Sequence, residues 1–464
     1  MLFNSFEFLV FFLLVLLLYY TIPNKYRWAL ILFASCIFYM DYKPIYILVL
    51  FAIILIDYGA ALLIEKSAGT KTRNLLLLIS LLSNIGILAY FKYYNFIFEN
   101  VSLVLSEVGI RKEFRLHELV LPIGLSFHTF QSMAYTIEVA KGRQKAERHL
   151  GYFAEYVLFF PQMVAGPIEK YSSLGTQLKN KVVFEYENFS NGFRLMLYGL
   201  FIKVVVADSI SYIPDEVFQN PEDYSFYDTW IGVLTFSIQI YADFFGYSII
   251  AVGAARCLGI RLMDNFNNPY FSHDLIEFWK RWHISLTSWF REYVYFSLGG
   301  NKVSVIRWLV NILLVFTLSG IWHGASWTFV WWGLAHGLLY LIEKPFDRIK
   351  IRNKIILFFS IVLNFIIVSL LWILFRAPDM KTVKIIFSRL FHITSCTKSL
   401  DIPYEIPVIL VLFFMLELLF RESRIDRFLS DKNVWIRWTI YTGLLFAILF
   451  WSDINTTPFI YFKF

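Results

Sequence analysis

Apolar residues in this chain gather in long runs instead of alternating with polar ones. Residues 9–20 and 355–375 hold no charge, and the second run has the length of one bilayer crossing. Read in order, the runs predict about 11–12 transmembrane helices, near 6–22, 27–40, 44–64, 74–97, 120–140, 189–212, 228–256, 306–322, 327–343, 355–375, 404–420 and 435–452. Two stretches depart from this pattern. Residues 152–168 run into FFPQMVAGPIEK, where Pro161, Gly166 and Pro167 predict a broken or re-entrant element buried in protein. Across residues 379–392, Met380, Val383, Ile386, Phe387, Leu390 and Phe391 share one side. Lys381, Lys384 and Arg389 fall mainly on the other, which predicts an interfacial helix. The fold class is therefore an all-α polytopic membrane protein.

Composition agrees. Of 464 residues, 58% are hydrophobic and only 17% charged, against about a quarter charged in a typical soluble protein. The N-terminal run lacks a basic leader and a small-residue cleavage site, so it reads as a first retained helix. Cys36, Cys257 and Cys396 are far apart and odd in number, which gives no disulfide framework and no metal-ligand spacing. The net charge of +7 has no long basic run behind it; it fits basic cytoplasmic loops, not nucleic-acid binding. Lys25 and Arg27, then Lys66, Lys71 and Arg73, then Lys141, Arg143, Lys145 and Arg148 mark alternate loops, and Lys43 stands alone between the first two. That alternation, with the basic 421–437 loop before the last span, predicts both termini outside the cytoplasm. Arg111, Lys112 and Arg115 break the alternation. With no repeats and no long linker, residues 1–464 read as one membrane-embedded domain, with a catalytic core about 120–345 and an outer tail at 453–464.

Candidate chemistry concentrates between Asn265 and Glu343. His283, His323 and His336 lie there in apolar, aromatic sequence, and ionisable groups at membrane depth are costly and usually functional. Taken as one helix, residues 278–295 place Trp279, Trp282, His283, Leu286, Trp289, Phe290 and Tyr293 on an apolar stripe. Lys280 and Arg291, about three turns apart, share another face beside Arg281 and Glu292. Two readings fit: an interfacial helix with snorkelling cations and a core histidine, or a site where a phosphate-bearing donor docks on Lys280, Arg281 and Arg291. His323 sits between Gly320 and Gly324, with Ser326 placed to cap the next helix. It belongs either to a turn near the interface or to a helix break inside a watery cavity. Three histidines without a Cys or carboxylate at ligand spacing argue against a metal and suit a general base. Asp243, in a helix, is placed to orient a histidine or pair with Arg256, and Lys203 with Asp208 forms a structural pair. Gly299, Gly300 and Asn301 form a turn; no phosphate loop, nucleophile elbow or Walker motif occurs.

Several motifs together resemble the membrane-bound O-acyltransferase family, in its bacterial branch that O-acetylates polysaccharides, as in alginate acetylation. They include LPIGLSFHTFQSMAYTIEV, FFPQMVAGPIEKY, QIYADFFGYSIIAVGAARCLGIRL, NFNNPY, FWKRWHISLTSWFREYVYFSLGGN and GIWHGASWTFVWWGLAHG, and they span almost the whole chain. The resemblance implies a ring of helices around a thin central funnel. It makes His323 in WHGA the principal catalytic histidine and His283 in RWHISL the second active-site position, with His336 in support. It makes Tyr461, in the PFIYFKF tail, a candidate acyl relay, against the plainer reading of an aromatic interfacial anchor. It also implies acetyl-CoA as donor, a polysaccharide acceptor, an extracytoplasmic SGNH-type partner protein and residence in the bacterial inner membrane. Two rivals remain: transfer of D-alanyl or another acyl group to an envelope polymer, and a proton-coupled transporter, for which inverted repeats would be the mark.

Overall fold

In a computed structural model, the protein is described at residues 1–41, 43–110, 116, 121–347, 351–393, 398–421, 424–451 and 459. Arg111, Lys112, Arg115, Cys396 and Tyr461 lie outside these residues. The described chain is helical and contains no strand. Each of the twelve predicted spans overlaps a helix among the described residues, although the one expected over 120–140 begins only at Leu125. Seven helices among the described residues are long and apolar enough to cross a membrane: Pro44–Lys66, Thr70–Glu107, Tyr186–Gln219, Phe226–Cys257, Val305–His323, Lys354–Arg376 and Val434–Trp451. The others are shorter, such as Trp327–Glu343 with 17 residues and Glu405–Leu419 with 15.

The chain forms two compact units. The first holds residues 9–184 with 258–262. Its spans are tied by a buried carboxylate: Asp57 accepts from Ser80 Oγ at 2.5 Å, from Asn84 Nδ2 at 2.9 Å, and from Ser132 Oγ. The expected broken element is present. The helix Leu150–Leu158 stops, and the buried backbone through Glu169 continues as turns. Side chains take up the backbone groups this exposes. His128 Nδ1 lies 2.8 Å from the Val157 carbonyl, Gln131 Nε2 donates to the Tyr156 carbonyl at 2.7 Å, and Phe160 N donates to Ser35 Oγ at 3.1 Å. Irregular backbone survives at membrane depth only with such partners.

The second unit holds residues 2–8, 185–257 and 263 onward. Its helix Phe226–Cys257 crosses Tyr186–Phe201 on two glycine pairs. A Cβ on Gly192 would lie 2.6 Å from the Gly253 carbonyl, and one on Gly199 would lie 2.7 Å from the Gly246 carbonyl. Small residues allow this approach of backbones, the main source of helix adhesion in lipid. Val305–His323 and Trp327–Glu343 pack equally closely, since a Cβ on Gly320 would stand 2.2 Å from the Phe329 carbonyl. The predicted interfacial helix is Met380–Phe391; it buries Val383, Ile386 and Leu390, and Asp379 caps it by accepting from Thr382 N. Lys203 pairs with Asp208 as expected, at 2.6 Å. Asp243 does not pair with Arg256; it meets Lys203 at 2.6 Å.

Candidate active site

The predicted continuous helix over 278–295 does not form. Leu275–Arg281 ends, Trp282 and His283 make a break, Ile284–Trp289 begins, and a π-helical turn covers Phe290–Tyr295. His283 sits in the left-handed region at φ 41°, and Asn268 at φ 46° is the other non-glycine residue with positive φ among the described residues. Such backbone costs about 1–3 kcal/mol and persists only when its surroundings enforce it. Here the two strained segments hold each other. Ile284 N donates to the Asn265 carbonyl at 2.9 Å and Asn267 N to the Arg281 carbonyl at 3.0 Å. Ser285 Oγ donates to Asn265 Oδ1 at 2.7 Å, and Asn268 Nδ2 donates to Glu417 Oε2 at 3.0 Å. The NFNNPY loop is thus the clamp that shapes the His283 turn. Its asparagines lay in a recognised motif, but no local pattern announced that role.

His323 is the last residue of Val305–His323, with Gly324 as the cap and Ser326 accepting from Thr328 N to start the next helix. The expected break is therefore present, and it lies inside the protein: His323 is 4% exposed, His283 1% and His336 0%. Aromatic rings join the three. His283 lies 6.3 Å from Trp322, Trp322 4.9 Å from His323, His323 5.2 Å from Trp332, and Trp332 4.8 Å from His336, centroid to centroid. Neither nitrogen of His336 has a hydrogen-bonding partner among the described residues; Trp279 and Trp332 enclose it instead.

A cavity of about 520 Å³ is lined by Trp279 and Phe316, whose rings pack against His336, and by none of the three histidines. Ile312, Phe316 and Ser319 line it, and at spacings of four, three and four residues they share a helix face with His323. Lys280, Arg291 and Lys344 stand at the same cavity. Lys280 and Arg291 are exposed and have no carboxylate at ion-pair distance among the described residues. Arg281 is turned elsewhere: it donates to Glu277 Oε1 at 2.5 Å and to the Asn267 carbonyl at 3.4 Å. Burial opposes ionisation of Glu277, but the His273 N–H and the Arg281 guanidinium outweigh it and hold the carboxyl below its usual range. Arg281 is therefore bound up in the structure of the turn, while Lys280 and Arg291 remain available to a ligand.

Comparison with known sequences decides the family. The profile of MBOAT, the membrane-bound O-acyltransferase family, matches residues 73–375. A probable alginate O-acetylase AlgI of Azotobacter vinelandii is 36% identical over 402 residues, covering 86% of this chain and 80% of that one. The chain belongs to the membrane-bound O-acyltransferase family. As an acyltransferase of this family it is also 34% identical, over 75% of its length and 71% of the other, to the peptidoglycan O-acetyltransferase of Helicobacter pylori. Similarity to the teichoic acid D-alanyltransferase of Bacillus subtilis is lower, 27% over 51% of this chain and 62% of that one. In this acyltransferase Phe3, Asn4 and Phe459 come together at Tyr247 of the helix Phe226–Cys257. Tyr247 donates to Asn4 Oδ1 at 2.9 Å, and its ring lies 5.7 Å from Phe3 and 4.9 Å from Phe459. Phe459 also lies 5.5 Å from Phe244, whose ring meets His283 edge-on at 4.7 Å. Hydropathy alone contains no sign of this meeting at Tyr247.

Proposed function

We propose that the protein takes an acetyl group from cytoplasmic acetyl-CoA and passes it across the inner membrane for O-acetylation of an extracytoplasmic polysaccharide. The observation that carries this reading is the cavity whose rim bears Lys280 and Arg291 and whose wall is the helix face ending in His323. The cations suit the phosphates of the donor, and the apolar wall suits its pantetheine arm. His323 acts as general base on the acceptor hydroxyl and His283 positions or polarises the thioester. A phenol with a pKa near 10 needs such a base at neutral pH. The acetylase relatives support acetyl over D-alanyl, since the D-alanyltransferase match covers half the chain.

Incubation of purified protein with radiolabelled acetyl-CoA tests the reading: CoA release or covalent label is expected, and neither would refute it. In the same assay, Lys280→Gln with Arg291→Gln is expected to raise KM for acetyl-CoA about tenfold or more, as charge-assisted contacts are lost, with kcat nearly unchanged. A fall in kcat at constant KM would remove both from donor binding.

The basic loop before Val434–Trp451 faces the cytoplasm and both termini face outside; the meeting of Asn4 and Phe459 at Tyr247 supports a shared side. Tyr461 lies two residues beyond Phe459, and the burial of Phe459 against Phe244 supports a relay role for the tail. An SGNH-type partner then completes transfer to the polymer. Tyr461→Phe is expected to leave acetyl-CoA binding intact and to abolish acetyl delivery, read as polymer-bound acetate in cells. Delivery at the wild-type level would eliminate the relay.

A further inference from the structure

The left-handed turn at His283 depends on the Asn265–Asn268 loop, and that loop is itself gripped from later in the chain. Glu417, on the helix Glu405–Leu419, is 3% exposed. Its Oε2 accepts from Asn268 Nδ2 at 3.0 Å and from the Tyr241 hydroxyl at 2.7 Å, and its main-chain carbonyl accepts from the same Nδ2 at 3.1 Å. At the other end of the loop, Arg424 reaches Asp264 at 2.8 Å. Glu417 lies beyond residue 375, where the match to the family profile ends.

Packing alone does not hold the loop on this side. A cavity of about 430 Å³ borders it, lined by Asn265, Asn267, Asn268, Ile284 and Glu417 among others, and atoms that face open space lack packed neighbours there. Yet Asn268 stays at φ 46°, a conformation that persists only when something enforces it. Glu417 supplies that enforcement with a side-chain and a main-chain oxygen. It also reaches the turn from a second direction. The Tyr241 ring that it holds lies 6.0 Å from Trp282 and 5.6 Å from Phe266, and Trp282 directly precedes His283.

We propose that Glu417 is a positioning residue of the acyl-transfer site: by fixing Asn268 and Tyr241 it holds the His283 imidazole in the orientation that acts on the thioester. The inference rests on the reading of His283 as an active-site residue. An apolar side chain in place of Glu417 leaves Asn268 Nδ2 one of its two acceptors and strands the buried Tyr241 hydroxyl. The turn then relaxes and carries His283 with it.

Turnover of radiolabelled acetyl-CoA, per monodisperse molecule of the purified full-length protein, is the test. Glu417→Met is expected to lower kcat about a hundredfold, the cost of misplacing a reacting group by about 1 Å. KM for acetyl-CoA should not change, because Lys280 and Arg291 stand at the other cavity, which shares no lining residue with this one. Glu417→Gln keeps an acceptor for Asn268 and a polar group for Tyr241, so it should retain most of kcat. In a His283→Ala background, Glu417→Met should cost nothing more, since its effect passes through the imidazole. Losses that multiply in the double variant, or an unchanged kcat in Glu417→Met, overturn the proposal and leave His283 its role. Full turnover in His283→Ala overturns the reading of His283 and this proposal with it. Should Glu417→Met not fold, Asn268→Gly keeps the positive φ without strain and removes only the side-chain grip; wild-type kcat there overturns the proposal equally.

Discussion

His323→Ala is expected to slow acetyl transfer by about 10²–10⁴-fold, the usual worth of a general base, in a protein that still purifies as a folded species. The expectation separates chemistry from packing through a control in the same aromatic cluster. His323 and His336 are both buried, and both lie against Trp332, at 5.2 and 4.8 Å. Removing either imidazole leaves a gap of similar size, so packing loss alone would lower both variants alike. His323 continues the face of Ile312, Phe316 and Ser319, and His336 that of Tyr340 and Lys344 at the same cavity, so place alone does not separate them; in the proposed mechanism His323 is the base and His336 a supporting residue. His336→Ala should therefore keep most of its turnover despite a comparable drop in thermal midpoint. Measured by acetyl-CoA turnover, equal losses in the two variants would assign the effect to packing, and near-wild-type activity in His323→Ala would end its assignment as the base.

Much of this arrangement could be read from the sequence, and the parts that could not share a physical cause. Hydropathy placed spans at 306–322 and 327–343, and the helices are Val305–His323 and Trp327–Glu343. Long apolar runs and the Gly-His-Gly break are local signals, so a local reading recovers them. The break at His283 is not local. Neither Trp282 nor His283 is a helix breaker, and the left-handed turn exists because Asn265, eighteen positions earlier, supplies its carbonyl to Ile284. Periodicity cannot register a constraint imposed from another segment. Arg281 was misgrouped for the same reason: spacing set it beside Lys280, but Glu277 and the Asn267 carbonyl draw it away. The Asp243 partner was missed through geometry. Arg256 lies thirteen residues on, about 220° around the same helix, so it points away, whereas Lys203 arrives from the helix that the glycine pairs bring close.

That last pair should give the largest change in stability. Lys203 is 1% exposed and Asp243 2% exposed, and they meet at 2.6 Å. Removing one member of such a pair strands a charge in a dry interior and costs about 3–5 kcal/mol, whereas removing both together is often nearly neutral. Lys203→Met is thus expected to lower the thermal midpoint in detergent sharply, and Lys203→Met with Asp243→Asn to recover most of the loss. Asp208, the other partner of Lys203 at 2.6 Å, is 20% exposed at its side chain, so water can solvate it once the lysine is gone. The effect should also reach the site. Phe244 follows Asp243 directly and meets His283 at 4.7 Å, so a shifted Asp243 moves one wall of the histidine's enclosure. Activity should then fall in Lys203→Met and return with stability in the double variant. Strictly additive losses in the double-mutant cycle would show that the two charges do not depend on each other, and that the wall of the His283 enclosure is held by packing alone.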